Sequence, residues 1–139
     1  MKKTLIVIDM QNDFIDGSLG TAEAVKIVPN VRKKIEEYRS NGDEIIFTRD
    51  THGEDYLSTP EGKKLPVVHC VKNTHGWQIA DGLDVPDAIH IDKPSFGYTH
   101  WDKFCFEKVE LVGLCTDICV VSNALILKAL FPNAEISVD

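Results

Sequence analysis

Three residues of this chain could act together as a nucleophile and its helpers: Cys119, Asp9 and Lys93. Cys119 falls in the first turn of a helix expected from Ile118 to Leu130, where unpaired amides and the helix dipole favour the thiolate, the reactive form of cysteine. A carboxylate such as Asp9 could take the thiol proton and return it to a leaving group, while an ammonium such as Lys93 would stabilise the anions formed. Each also has a plainer use: Cys119 as a small buried hydrophobe, Asp9 as a helix cap, Lys93 as a solvated surface charge. A second group, Asp50-Thr51-His52 with His69, offers one carboxylate and two imidazoles. That set suits zinc, iron or manganese and leaves positions open for water or substrate, the alternative being a hydrogen-bonded loop.

The elements that would gather these positions alternate between strand and helix. Thr4 to Ile8 is a continuous apolar run of strand length, the pattern of a strand buried on both faces of a parallel sheet, and it stops at Asp9. A helix follows, with Val28, Val31, Ile35 and Tyr38 at helical spacing, Pro29 in its first turn and Asn41-Gly42 as its stop. Glu44 to Thr48 forms the second strand and delivers Asp50 and His52 to the edge on which Asp9 lies. Residues 50–76 carry Gly53, Pro60, Gly62, Pro66 and Gly76 with little periodicity, and a connection of that length holding His69 and Trp77 reads as functional. Further strands are expected from Ala88 to Asp92, Lys108 to Val112 and Ala134 to Val138, with a short helix through Trp101 and Phe104 and a cap at Thr116 or Asp117 for the last helix.

This order predicts one domain over residues 1–139, a three-layer α/β/α fold with an open, mainly parallel sheet. Ligands of such sheets sit outside the carboxyl ends of the strands, where Asp9, Asp50, Lys93 and the turn from Cys115 to Cys119 would share one crevice. The chain stops in or just after its fifth strand, where a doubly wound sheet would carry another helix, so a missing C-terminal segment is expected.

Composition narrows the function. A formal charge of -7 and a pI near 5.1 disfavour nucleic acid and anionic lipid and leave a small molecule as the expected partner. Met1-Lys2-Lys3 runs straight into the first strand without a signal-peptide pattern, and no stretch has the length of a membrane span, so a cytoplasmic protein is expected. In that setting the four cysteines read as thiols, ligands or a nucleophile, with Cys105 in the core and Cys70 turned away from its neighbour His69. His75, His90 and His100 have no partner at ligand spacing and read as surface residues. The chain lacks a Gly-x-Gly-x-x-Gly turn, a phosphate-cradling Gly-Lys-Ser/Thr loop and a Gly-x-Ser-x-Gly elbow, which disfavours nucleotide binding and serine hydrolysis.

Taken in order, Ile8-Asp9-Met10-Gln11-Asn12-Asp13-Phe14, Thr48-Arg49-Asp50-Thr51-His52, His69-Cys70, Asp92-Lys93-Pro94-Ser95-Phe96 and Gly113-Leu114-Cys115-Thr116-Asp117-Ile118-Cys119-Val120 resemble the isochorismatase-like cysteine hydrolases, in particular their nicotinamidase branch. The resemblance implies a triad of Asp9, Lys93 and Cys119, and a divalent metal, commonly zinc, on Asp50, His52 and His69. It also implies a cis peptide between Leu114 and Cys115, with the amides of Cys115 and Cys119 as oxyanion hole. Phe14 would line the substrate pocket, joined by Phe96 or Tyr98. The implied reaction is hydrolysis of a small carboxamide such as nicotinamide through a Cys119 thioester, by a homo-oligomer. Two positions depart from the branch: Pro66 stands where a tryptophan usually precedes the last metal histidine, and a fourth protein ligand is left to Ser58 or Glu61. Two other functions stay open: hydrolysis of the isochorismatase kind, which generally proceeds without a nucleophilic cysteine, and an inert binding or assembly module on the same fold.

Overall fold

The computed structural model describes residues 2–114 and 116–139, apart from the side chains of Thr116 and Asp117. A central parallel strand must be apolar toward both faces, and β1 (Lys3–Ile8) meets this with Leu5, Ile6, Val7 and Ile8 wholly buried. Parallel neighbours flank it: β2 (Glu44–Asp50) on one side and β4 (Lys108–Gly113) on the other, with β3 (Ile89–Lys93) beyond β2 and β5 (Glu135–Val138) beyond β4. The resulting order, β3-β2-β1-β4-β5, reverses direction at β1, so the crevice of the sheet opens at the carboxyl ends of β1, β2 and β4.

Alternation along the strands builds two cores. Leu5, Val7, Ile45 and Phe47 pack with Val31, Ile35 and Tyr38 of helix α2 (Ala22–Ser40), while Ile6, Ile8 and Ile46 meet Trp101, Leu111, Val120 and Leu127 on the opposite face. Helix α4 (Val121–Leu130) covers that second face, which gives the three-layer α/β/α fold. Two short helices, α1 (Asn12–Ile15) and α3 (Pro60–Lys64), lie in the connections after β1 and β2. Among the described residues no helix is long and apolar enough to cross a membrane.

Several local expectations are corrected. Helix α2 starts at Ala22, where Thr21 Oγ1 accepts the amide of Ala24, so Pro29 sits in the helix interior rather than the first turn. Its missing N–H would have met the carbonyl of Val25, a residue half exposed to water that can replace it. The stretch at Trp101 is a 3-10 turn ending at Lys103, and β3 begins one residue later than Ala88 and runs on to Lys93. Cys105 is exposed because Phe104 and Phe106 on either side stack on each other at 5.4 Å toward the core and turn it outward. His90 is half-buried, stacked on Phe47 at 5.2 Å with Nε2 2.6 Å from Asp84 Oδ1. A π-helical turn, Thr116–Val120, precedes α4 and feeds directly into it, so that Val120 occupies the cap position ahead of Val121.

Candidate active site

Three strand ends place three charges. Asp9 leaves β1 with φ +51, a left-handed conformation that aspartate tolerates better than most residues. Thr48 fixes it: Asp9 N donates to Thr48 O and Oγ1, each at 3.2 Å, and Thr48 Oγ1 donates to Asp9 Oδ1 at 2.8 Å. Register sets Asp50 beside Lys93. Lys93 Nζ lies 2.7 Å from Asp9 Oδ2 and 3.9 Å from Asp50 Oδ1, and donates to Ser95 O at 3.1 Å. Neither Asp9 nor Lys93 has any exposed surface.

This cluster holds its protons. Burial raises the pKa of Asp9 above the usual carboxylate range, Lys93 opposes that, and Asp50 adds to it. Burial acts to strip Lys93 of its proton, but Asp9, Cys119 and Asp50 outweigh it and hold the ammonium above its ordinary value. Two carboxyl groups and a thiol thus face one cation, and a carboxyl group whose pKa burial raises toward neutrality is suited both to accept and to return a proton.

Asp50, His52 and His69 are buried with their ligand atoms within 4.8 Å of one another. Asp50 Oδ2 lies 3.0 Å from His52 Nε2 and 3.6 Å from His69 Nε2, while Glu61 Oε2 lies 3.2 Å from His52 Nε2. Burial would raise Asp50, but the two histidines and Lys93 hold its carboxyl well below the usual range. The His69 ring is the informative member: Nδ1 lies 2.7 Å from Val67 O, and Nε2 faces Asp50. A neutral imidazole donates from one nitrogen only, so acceptors on both sides call for a cation, either a proton or a metal at Nε2. Burial lowers the His69 pKa, but Asp50 and the Val67 carbonyl reverse this and raise it. Asp50 Oδ1 is also buried without a hydrogen-bond partner among the described residues. The donor set therefore fits a divalent cation.

Gln11, absent from the candidates above, fastens this cluster. Its Nε2 donates to Asp50 O at 2.9 Å and Trp77 O at 2.8 Å, and its Oε1 accepts the Asp50 amide at 2.8 Å. Its place beside Asp9 in the first motif was the only sequence signal, since the bonds join residues 39 and 66 positions apart. Thr48 was overlooked for the same reason.

Cys119 lies in the π turn, buried, within the electrostatic reach of Lys93. Gly113 makes that approach possible: with φ +126 it admits Leu114 N to Ile8 O at 3.0 Å, and a Cβ there would overlap the Ile8 carbonyl. A cavity of about 400 Å³ joins Cys119 to Asp50, Glu61 and His69, and Phe14, Leu19, Leu65, Phe96 and Ile118 form its apolar walls. Leu19, Leu65 and Ile118 were not singled out in the sequence. Tyr98 stands elsewhere: it is buried against Trp101 at 4.9 Å and is not among the residues lining this cavity. Ser58 is exposed at the end of a 3-10 turn. Cys115, with the expected cis peptide and its share of the oxyanion hole, lies outside the described residues, as do the side chains of Thr116 and Asp117 expected to cap the helix.

The arrangement has relatives. A probable inactive nicotinamidase of Arabidopsis thaliana is 32% identical over 158 residues, covering 97% of this chain and 78% of its own. The nicotinamidase of Saccharomyces cerevisiae is 28% identical over 173 residues, covering 88% and 80%. The crystal structure of the pyrazinamidase of Pyrococcus horikoshii in complex with zinc superposes with a TM-score of 0.81 at 28% identity, covering all of this chain and 88% of that one. A family model described as the isochorismatase domain matches residues 3–132, from the first residue of β1 to just past the end of α4, and the chain belongs to that family.

Proposed function

We propose that the chain, as a single domain, is a cysteine hydrolase that cleaves the amide of a small uncharged carboxamide, with nicotinamide the first substrate to try. The observation that carries this reading is the fully buried Asp9–Lys93 pair at 2.7 Å, beside a cysteine that opens onto an apolar cavity. Burying two charges is rarely worthwhile for stability alone. In the proposed reaction the Cys119 thiol proton passes to Asp9 as Sγ bonds to the carboxamide carbon, and Lys93 holds Asp9 in place. Collapse of the tetrahedral adduct breaks the C–N bond; Asp9 returns the proton to nitrogen and ammonia leaves. Water then adds to the thioester, giving a proton to Asp9, and the C–S bond breaks to release the acid and restore the thiol. We assign the amides of Cys115 and Cys119 to the developing oxyanion.

A divalent cation on Asp50, His52 and His69, with Glu61 as a fourth donor, would supply Lewis acidity toward a lone pair of the substrate, such as a ring nitrogen. The walls formed by Phe14, Leu65 and Phe96 suit an apolar acyl group. The same reading makes the protein a cytoplasmic homo-oligomer.

A second reading, an inert member of the family, is supported by the relative described as a probable inactive nicotinamidase. Ammonia release from nicotinamide, pyrazinamide and aliphatic carboxamides separates the two when the parent is measured beside Cys119→Ala. Turnover by the parent that falls at least about 10³-fold in the variant supports the cysteine mechanism. No release by the metal-loaded parent on any of these amides sinks it.

A further inference from the structure

Asn123 lies one helical turn beyond Cys119, fully buried, with every hydrogen-bonding position of its amide engaged. Its Nδ2 donates to Cys119 O at 2.7 Å and to Phe96 O at 3.1 Å, while its Oδ1 accepts from Tyr98 N at 2.8 Å and Trp101 Nε1 at 3.2 Å. Asparagine is a poor helix former, and a buried amide is tolerated only when its groups are paired. The pairing here goes to particular places. Cys119 belongs to the π turn, where regular backbone bonding shifts to i+5, and the Asn123 side chain reaches its carbonyl from i+4. The other three bonds hold the segment from Phe96 to Trp101, which begins just after Lys93 and includes one wall of the cavity.

We infer that Asn123 is a positioning residue that locks the π turn carrying Cys119 and the wall carrying Phe96 into one unit, so that nucleophile and substrate wall keep a fixed relation. This inference rests on the proposed role of Cys119. The amide is neutral, so the lock is one of direction rather than charge. It acts at two separable places: the Cys119 carbonyl, which governs the thiol, and the Phe96–Tyr98 backbone, which governs the pocket.

The test uses the full chain. Iodoacetamide alkylation of Cys119 is followed against pH by peptide mapping, with exposed Cys105 as the internal reference, beside melting curves and kcat and KM on an accepted carboxamide. In Asn123→Ala, alkylation of Cys119 relative to Cys105 is expected to slow about tenfold and kcat to fall about 10²-fold, the scale at which misplacing a reacting group acts. Asn123→Ser keeps a hydroxyl able to bond the i-4 carbonyl, so alkylation and kcat should return to within about twofold of the parent. KM should rise in the alanine variant and stay raised in the serine variant, because Phe96 O and Tyr98 N lose their partner in both. A folded alanine variant with the parent's alkylation profile, kcat and KM, and only a lower Tm, would overturn the inference. So would a serine variant in which KM returns with kcat, or loss of the fold in both variants. A parent that releases no ammonia, yet whose Cys119 alkylation slows in the alanine variant, removes the proposed reaction and leaves the positioning role standing.

Discussion

The candidate site is assembled from two regions built in different ways. Asp9, Asp50 and Lys93 terminate adjacent strands, with neighbours fixed by sheet register, whereas Glu61, Leu65 and His69 come from the long connection between β2 and β3. That connection has only the five residues of α3 and two 3-10 turns as regular structure, and it exposes both Glu61 and Leu65. The division follows the physics of each group. An ion pair sealed from water needs fixed geometry, which paired strands provide, while groups that meet a substrate need openings and variable shape, which loops provide.

The loop is nonetheless fastened, and by the segment that follows β1. Gln11 ties it at Trp77, Asn12 Nδ2 donates to His75 O at 2.8 Å, and Asp13 Oδ2 accepts the Cys70 amide at 2.8 Å. Gly76 belongs to the same fastening, since a Cβ there would overlap the Asp13 carboxylate. The loop half is thus held from the strand half, one motif supplying the proposed acid-base group and the staples together.

Substitutions can break or sharpen this contrast. The largest effect is expected in the strand half: Lys93→Met strands the Asp9 charge in the core and should destabilise by about 3–5 kcal/mol in urea unfolding. Adding Asp9→Asn should restore much of that stability and none of the activity. A Lys93→Met chain as stable as the parent would show that the pair is not sealed from water. A smaller loss is expected for Gln11→Ala, which frees the Asp50 backbone: affinity for Co²⁺, read from its visible spectrum, should drop about 10- to 100-fold. Unchanged affinity would mean that the loop keeps its shape without the staple.

The smallest effect is one of pH. Asp9 has a folded pKa raised above 3.8, so the acid limb of kcat/KM should lie above the ordinary aspartate range. Between 3.8 and that raised value the folded chain holds a proton that the unfolded chain has lost, so the Asp9 contribution to stability falls as pH rises through the window. Asp50, depressed instead, contributes stability above 3.8 that is lost as pH falls through its folded value. Melting temperatures of the parent and Asp9→Asn across pH 3 to 7 should therefore change in gap; a constant gap would refute the raised pKa.

The sheet and the strand half of the site were legible because burial on both faces forces continuous apolar runs, and the first charged residue after each run marks its carboxyl end. Asp9 follows from that rule, and Lys93 from standing directly after the expected end of the third strand at Asp92. The loop half was legible only as residue types, and its binding geometry depends on contacts with Gln11 and Asp13 that no local pattern encodes. Asn123 was hidden among apolar neighbours in Val120 to Leu130, where one amide looks like an interruption until its four partners are seen. The start of α2 escaped because Ala22, Glu23 and Ala24 carry little apolar signal, leaving the cap at Thr21 as the cue. Tyr98 looked like a pocket residue by its nearness to Phe96, but the turn between them sends its ring to the core.

The placing of β1 between β2 and β4 has a consequence for how the molecule comes into being. Thr4 pairs with Glu44 on one side and Val109 on the other, so the middle of the sheet closes only after most of the chain is available, and such distant parallel pairing is slow to form. Gly113 makes its close contact with Ile8 at that last seam, just ahead of the turn carrying Cys119. A refolding chain would therefore acquire secondary structure and much of the core around α2 and β2 while its thiol remained an ordinary one. Under the proposed reaction, the reactivity of Cys119 would emerge with the β1–β4 seam, and its alkylation would report completed folding.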